Sequence, residues 1–184
     1  MMKILISEWI KTKRTPIRWL TFLTPMILAA LIVWYFSLKA ITIDTQISIF
    51  QAFFEVWTAL VIPLGTGLIS GIMIHQEELA GSFNGFLGSK LPRRDLYLGK
   101  LTMLILLTSA STLLAALALL VGLSFILNIP LSWPIFIIAA LMAMIGTLPL
   151  LAFHLWISFA WGMGASIGIG GGGILIAALM ATSL

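Results

Sequence analysis

Few side chains in this sequence can do chemistry, and their spacing excludes most reactions. Gly168-x-Gly170-x-x-Gly173 has the spacing of a dinucleotide-binding fingerprint, but that motif must follow a strand, and here it sits inside an apolar run. Lys100 follows Gly99 as in a phosphate-binding loop. Yet Leu101 stands where a serine or threonine is needed, and Arg94 where the first glycine is needed. No HExxH occurs, and no pair of carboxylates lies within an apolar stretch. The chain has no cysteine, so neither a disulfide framework nor a thiolate metal site is open to it. His75 and His154 stand alone near expected cytoplasmic helix ends. An interfacial histidine is the plain reading of each, and a proton relay through His154 is the sharper one. Neither enzymatic activity, nor a metal, nor a cofactor is expected.

Two groups remain. Glu55 sits at the outer mouth of an apolar run, where a carboxylate either attracts a cationic ligand or simply stays wet at the interface. The segment 75–100, HQEELAGSFNGFLGSKLPRRDLYLGK, is too long for a tight turn and too apolar for a solvated loop. Leu79, Phe83, Phe86 and Leu87 share one face of a helix across it. Glu77 and Glu78 are expected to open that helix, where acidic side chains suit the positive end of the dipole. Pro92 is expected to stop it, with Arg93, Arg94 and Lys100 leading back to the membrane. An amphipathic helix between two spans either rests on the bilayer or docks in a partner's groove, and both readings stand open.

The elements that must hold these groups are membrane helices. Of the 184 residues, 61% are hydrophobic and only 9% charged, against about 25% charged in a soluble domain. The mean hydropathy is +1.16. Such a chain cannot cover its surface in water, so lipid is its solvent. The expected fold is all-α and integral to the membrane, a single transmembrane domain over 1–184. An N-terminal interfacial helix (1–14) is followed by five spans at 19–37, 56–74, 101–127, 135–161 and 165–184, with a cytoplasmic segment at 75–100. No span contains Asp, Glu, Lys or Arg. The first is longer than a signal-peptide core and lacks a cleavage site after it, so it reads as a retained helix.

Charge sets the orientation. Lys3, Lys11, Lys13, Arg14 and Arg18 precede the first span, and Lys90, Arg93, Arg94 and Lys100 lie between the second and third; only Lys39 falls elsewhere. Basic residues mark the cytoplasmic side, which predicts a cytoplasmic N-terminus in a multi-pass protein of the plasma membrane. Basic charge on so apolar a chain suits lipid headgroups, not nucleic acid. Trp19, Trp34, Tyr35, Trp57, Trp133, Trp156 and Trp161 are expected near helix ends as an aromatic belt. Within the first fourteen residues, Met2, Ile6, Trp9 and Ile10 fall on one face, and Lys3, Ser7, Lys11 and Arg14 opposite, as in a helix lying along the headgroups. Pro25, Pro63 and Pro149 are expected to bend their helices. Gly67 with Gly71, Gly164 with Gly168, and Gly168 with Gly172 form small-xxx-small pairs suited to close helix contact.

Three stretches carry a family resemblance. SEWIKTKRTPIRW at Ser7 to Trp19, followed by a span with an early proline, resembles the start of bacterial type-2 ABC exporter permeases. QEELAGSFNGFLGSKLPRRDLYLGK resembles the segment after their second span. HLWISFAWGMGASIGIGGGG, His154 to Gly173, is similar to the fourth-to-fifth span junction of the permease subunits of lantibiotic self-immunity transporters. The resemblance implies a six-span subunit that lacks its own ATP site, of which this sequence offers five spans. It implies partnership with an ABC ATPase subunit and a second permease subunit, identical or related, and with membrane lipid. It assigns the segment carrying Glu77, Glu78, Leu79, Phe83, Phe86 and Leu87 to ATPase coupling. The expected substrate is a peptide antibiotic expelled from the membrane. An exporter of another amphiphile or drug, and a membrane scaffold that transports nothing, are the alternatives.

Overall fold

The computed structural model describes residues 2–13, 15–39, 45–81, 92–127 and 132–182. Phe83, Phe86 and Leu87 lie outside the described residues. Those described form an all-α membrane protein. After α1 (Met2–Thr12) and α2 (Ile17–Ser37), α3 (Thr45–Val56) runs through a π turn (Trp57–Val61) into α4 (Ile62–Leu79). Two long helices follow, α5 (Arg93–Phe125) and α6 (Trp133–Thr182). Among the described residues, four helical stretches are long and apolar enough to cross a membrane: Ile17–Ser37, Thr45–Leu79, Arg93–Phe125 and Trp133–Met180. In hydrocarbon a backbone must satisfy its own hydrogen bonds, and a helix does so within one segment.

The outer surfaces are as apolar as the interior. Leu117, Ile138, Met142 and Ile145 are all exposed, as lipid-facing side chains are. Two cores lie inside. One gathers Val33, Phe36, Phe53, Trp57, Leu119, Leu123 and Phe136 from α2, α3, the π turn, α5 and α6. The other joins Ile17, Ile69, Met73, Leu104, Leu151 and Leu155.

The helix from Thr45 begins eleven residues before the apolar stretch starting at Val56. An apolar run marks what hydrocarbon covers, whereas a helix continues into the interface. Its π turn has a local cause. Pro63 has no N–H, so the regular ladder cannot continue through it. The N–H of Ile62 instead reaches the carbonyl of Trp57, five residues back. This turns Trp57 inward: its ring stacks on Phe53 at 6.0 Å with an interplanar angle of 5°, and its Nε1 donates to Thr112 Oγ1 at 3.3 Å. Trp57 is therefore a core residue at 2% exposure and not part of a belt.

The fourth and fifth expected spans are the two legs of α6. Gly162, at φ 81° and ψ −179°, interrupts its helical geometry. His154 and Ser166 hydrogen-bond at 3.0 Å, although twelve residues of straight helix would separate them by about 18 Å. The chain therefore doubles back at a single residue, into legs 133–161 and 163–182. That backbone geometry is essentially reserved for glycine. Gly162→Ala is expected to cost about 1–3 kcal/mol, seen as a fall of several degrees in the apparent melting temperature of the detergent-purified protein. An unchanged melting temperature would show that the reversal does not depend on this conformation.

α1 lies against α5, with Ile4 filling the space beside Gly99 so closely that a Cβ there would collide with it. Met2, Ile6, Trp9 and Ile10 remain exposed as one apolar face. The sequence reading missed a third face: Glu8 and Thr12 are buried. Arg18 fastens the helix to α2, its guanidinium 4.3 Å over the Trp9 ring and donating to the Trp9 carbonyl at 2.9 Å.

Candidate functional site: an ionic joint and a serine–histidine knot

Four charged side chains from three helices meet where α1, the end of α4 and the start of α5 converge. Lys100 is 1% exposed. Its ammonium donates to Glu8 Oε2 at 2.9 Å and to Glu77 Oε1 at 2.8 Å. Lys11 donates to Glu8 Oε1 at 2.9 Å and also to Glu77. Two ammonium groups thus alternate with two carboxylates, so the buried charge is neutral overall. A buried carboxylate without such partners would be strongly unfavourable. Burial disfavours the charge on Lys11, but the Glu77 and Glu8 carboxylates outweigh it and hold its pKa above the ordinary lysine value.

This corrects the expectation for Glu77 and Glu78. They do not open a new helix but close α4, which ends at Leu79. Acids at a helix C-terminus oppose the dipole. For Glu77 two ammonium groups offset that cost, and Glu78 lies 3.1 Å from His75 Nδ1. His75 is accordingly not isolated. Leu79 is 74% exposed at the end of the helix. Arg93 to Lys100 are the first turns of α5, not a loop leading to it. Glu8 was missed as a site residue, and Lys100 was read only as a marker of topology. One signal was available: both lie beside apolar stretches that offer no opposite charge at helical spacing on their own helix except Lys11.

The second polar cluster joins α4 to both legs of α6. His154 is 1% exposed and lies in the helix interior, not at an end as expected. Its Nδ1 meets Ser166 Oγ, which also lies 3.1 Å from Ser70 Oγ and donates to the Gly67 carbonyl at 3.2 Å. Ser158 donates to the His154 carbonyl at 2.7 Å, and its Oγ lies 3.3 Å from Ser70 Oγ. The serines escaped notice because hydroxyls are unremarkable in membrane helices, where they bond to the carbonyl four residues back.

Glycine makes the knot possible. A Cβ on Gly67 would stand 2.7 Å from the Ser166 carbonyl oxygen, and one on Gly71 3.0 Å from Met163 Cγ. On the other side of this contact, Gly164, Gly168 and Gly172 do not provide the close approach: a Cβ on any of them meets nothing within 4 Å. The approaching residue is Gly170, 2.7 Å from the Pro63 carbonyl oxygen by the same measure. The expected ridge is therefore displaced in register and faces away from α4.

Glu55 immediately precedes the apolar stretch that starts at Val56. It lies inside the continuous helix Thr45–Leu79, on the wall of a cleft of about 230 Å³ with Val56, Leu60, Ile174 and Ala178. Among the described residues, no group of three or more His, Asp or Glu side chains could hold a metal ion.

The described residues thus combine apolar helices long enough to cross a bilayer with an ionic joint that ties three helices together. The profile of the family described as ABC-2 family transporter protein matches residues 4–169. Neither a curated protein nor a solved structure matches the chain significantly. The match runs from α1 through the reversal in α6, taking in the ionic joint and the knot, and the chain belongs to the ABC-2 transporter family, as a membrane transport subunit that works with an ABC ATPase.

Proposed function

We propose that this subunit, paired with a second permease, expels a lantibiotic-type antimicrobial peptide from the plasma membrane and so protects the cell that makes it. The observation that carries a transport mechanism is the ionic joint. It locks α1 to the two helices, α4 and α5, that flank residues 80–92. Force applied to that segment then moves two membrane helices together. The ATPase is the source of the force, and Phe83, Phe86 and Leu87 are the surface it grips, with Glu77, Glu78 and Leu79 as the rigid base. The positive-inside rule puts this end of the bundle, with the N-terminus, in the cytoplasm. The sequence resemblance to self-immunity permeases supports the peptide substrate. The Glu55 cleft, a carboxylate on an apolar wall, suits a cationic amphiphile. The outward-facing glycines Gly164, Gly168 and Gly172 suit close contact with the second permease.

The test is a double substitution at the gripping surface. Burying one aromatic side chain contributes about 1.5–3 kcal/mol, so losing two should weaken ATPase association by tenfold or more. Phe83→Ala with Phe86→Ala is expected to insert normally while losing both ATPase co-purification and lantibiotic tolerance. Full recovery of the ATPase with the double variant would remove these residues from the coupling surface. Lost association with unchanged lantibiotic tolerance but new drug sensitivity would point to a general exporter.

A further inference from the structure

Beside the ionic joint, α1 and α5 enclose a small cavity of about 180 Å³, lined by Lys3, Ile4, Ser7, Glu8, Lys11 and Leu96. Lys3, Ser7 and Lys11 stand four residues apart, so they form one row along the helix. All three are lining residues with side chains that can donate hydrogen bonds. Lys3 makes no ion pair among the described residues. An ammonium carries three N–H donors; that of Lys11 spends two, on Glu8 and Glu77, and its side chain is 41% exposed. The Ser7 hydroxyl lies between them in the row.

Charge favours an anion in this cavity. Glu8 forms part of the wall, but its Oε1 is held by Lys11 and its Oε2 by Lys100. Counting Lys3, Lys11 and Lys100 against Glu8 and Glu77 leaves one positive charge uncompensated. The same helix presents Met2, Ile6, Trp9 and Ile10 as an exposed apolar face. A helix of this kind sinks that face into the acyl boundary and carries its basic row at the depth of the phosphates. We infer that the Lys3–Ser7–Lys11 row, closed by Leu96, is a binding site for the phosphate of an anionic phospholipid. Its occupant shares Lys11 with the ionic joint. A bound headgroup therefore touches the same ammonium that links α1 to α4, and membrane composition bears on the stiffness of that link. The site rests on the membrane-protein fold and is independent of the transported substrate.

The experiment uses the full chain in detergent, titrated with phosphatidylglycerol or phosphatidylcholine, with bound lipid counted by native mass spectrometry. Phosphatidylglycerol is expected to bind more tightly. Lys3→Gln should weaken it about fivefold, the effect of one basic residue near a membrane surface, and leave phosphatidylcholine unchanged. Lys13→Gln removes the same charge from a position beyond the end of α1 and outside the cavity lining, and should alter binding less than twofold. Unaltered phosphatidylglycerol binding in Lys3→Gln would overturn the site. Equal losses in the two variants would also overturn it, because they would mean diffuse attraction to a basic segment.

Discussion

Replacing Lys100 with methionine is expected to loosen the protein more than any other single change outside the apolar core. Methionine matches the length of the lysine stem but brings no charge. Glu8 and Glu77 would then share Lys11 alone, leaving one uncompensated carboxylate in a buried setting. Removing one partner from a buried ion pair costs about 3–5 kcal/mol, which for a chain of this size corresponds to a drop in melting temperature on the order of 10 °C. Two features make the test specific. Glu77→Gln combined with Lys100→Met restores charge balance around Glu8 and Lys11, so the double variant should recover a substantial part of the loss. Lys39→Met, which removes an exposed lysine lying over the Tyr35 ring, should change the melting temperature little. If Lys100→Met proved as stable as the parent, the joint would have no structural weight. If the double variant were worse than the single one, charge balance would not be the reason for the cluster.

Gly67→Val is expected to open the knot between α4 and α6. The new Cβ would meet a backbone carbonyl at 2.7 Å, with His154 Cε1 at 3.4 Å. A carbonyl in a helix cannot swing aside as the tip of a side chain can, so the helices must separate. Overpacking of this kind costs about 1–3 kcal/mol for a small addition, and separation also strains the Ser166 bonds to Ser70 and Gly67. Gly146→Ala is the matched control: its Cβ enters open space, so the effect should stay within about 0.5 kcal/mol. The absence of native cysteine allows a direct reading of geometry. Ser70 and Ser166 hydroxyls lie 3.1 Å apart, so Ser70→Cys with Ser166→Cys should form a disulfide on oxidation. Adding Gly67→Val should suppress it. Equal cross-linking with and without the valine would show that α4 and the last leg of α6 tolerate the extra side chain.

Much of the fold was legible from composition. Lipid demands that a crossing segment satisfy its own backbone, so long uncharged runs had to be helices, whatever they pack against. The face of α1 carrying Met2, Ile6, Trp9 and Ile10 was equally readable, because a helix between water and lipid must sort its side chains by polarity. Element ends were less legible: the apolar stretch at Val56 marked a change of surroundings, while the helix itself had begun at Thr45. The residues of the site were read by type, but not by partner. Glu77 was singled out, yet the sequence pointed to a helix start where the chain has a helix end.

What the sequence determined alone, then, was the solvent, the secondary structure and the places where charge collects. Tertiary structure decided the pairings. Glu8 and Lys100 are 92 positions apart, and nothing in either neighbourhood names the other. Gly170 makes the close approach that the spacing of Gly164, Gly168 and Gly172 suggested for them, and Trp57 faces the core because a proline six residues later shifts the helical register. The physical reason is common to all three. In a soluble protein, polarity differs between the buried and exposed faces of a helix, so periodicity reveals its rotation. In a membrane, lipid tails are as apolar as the core. The rotation of each helix is then set by shape and by a few polar contacts, and these exist only once the helices have come together.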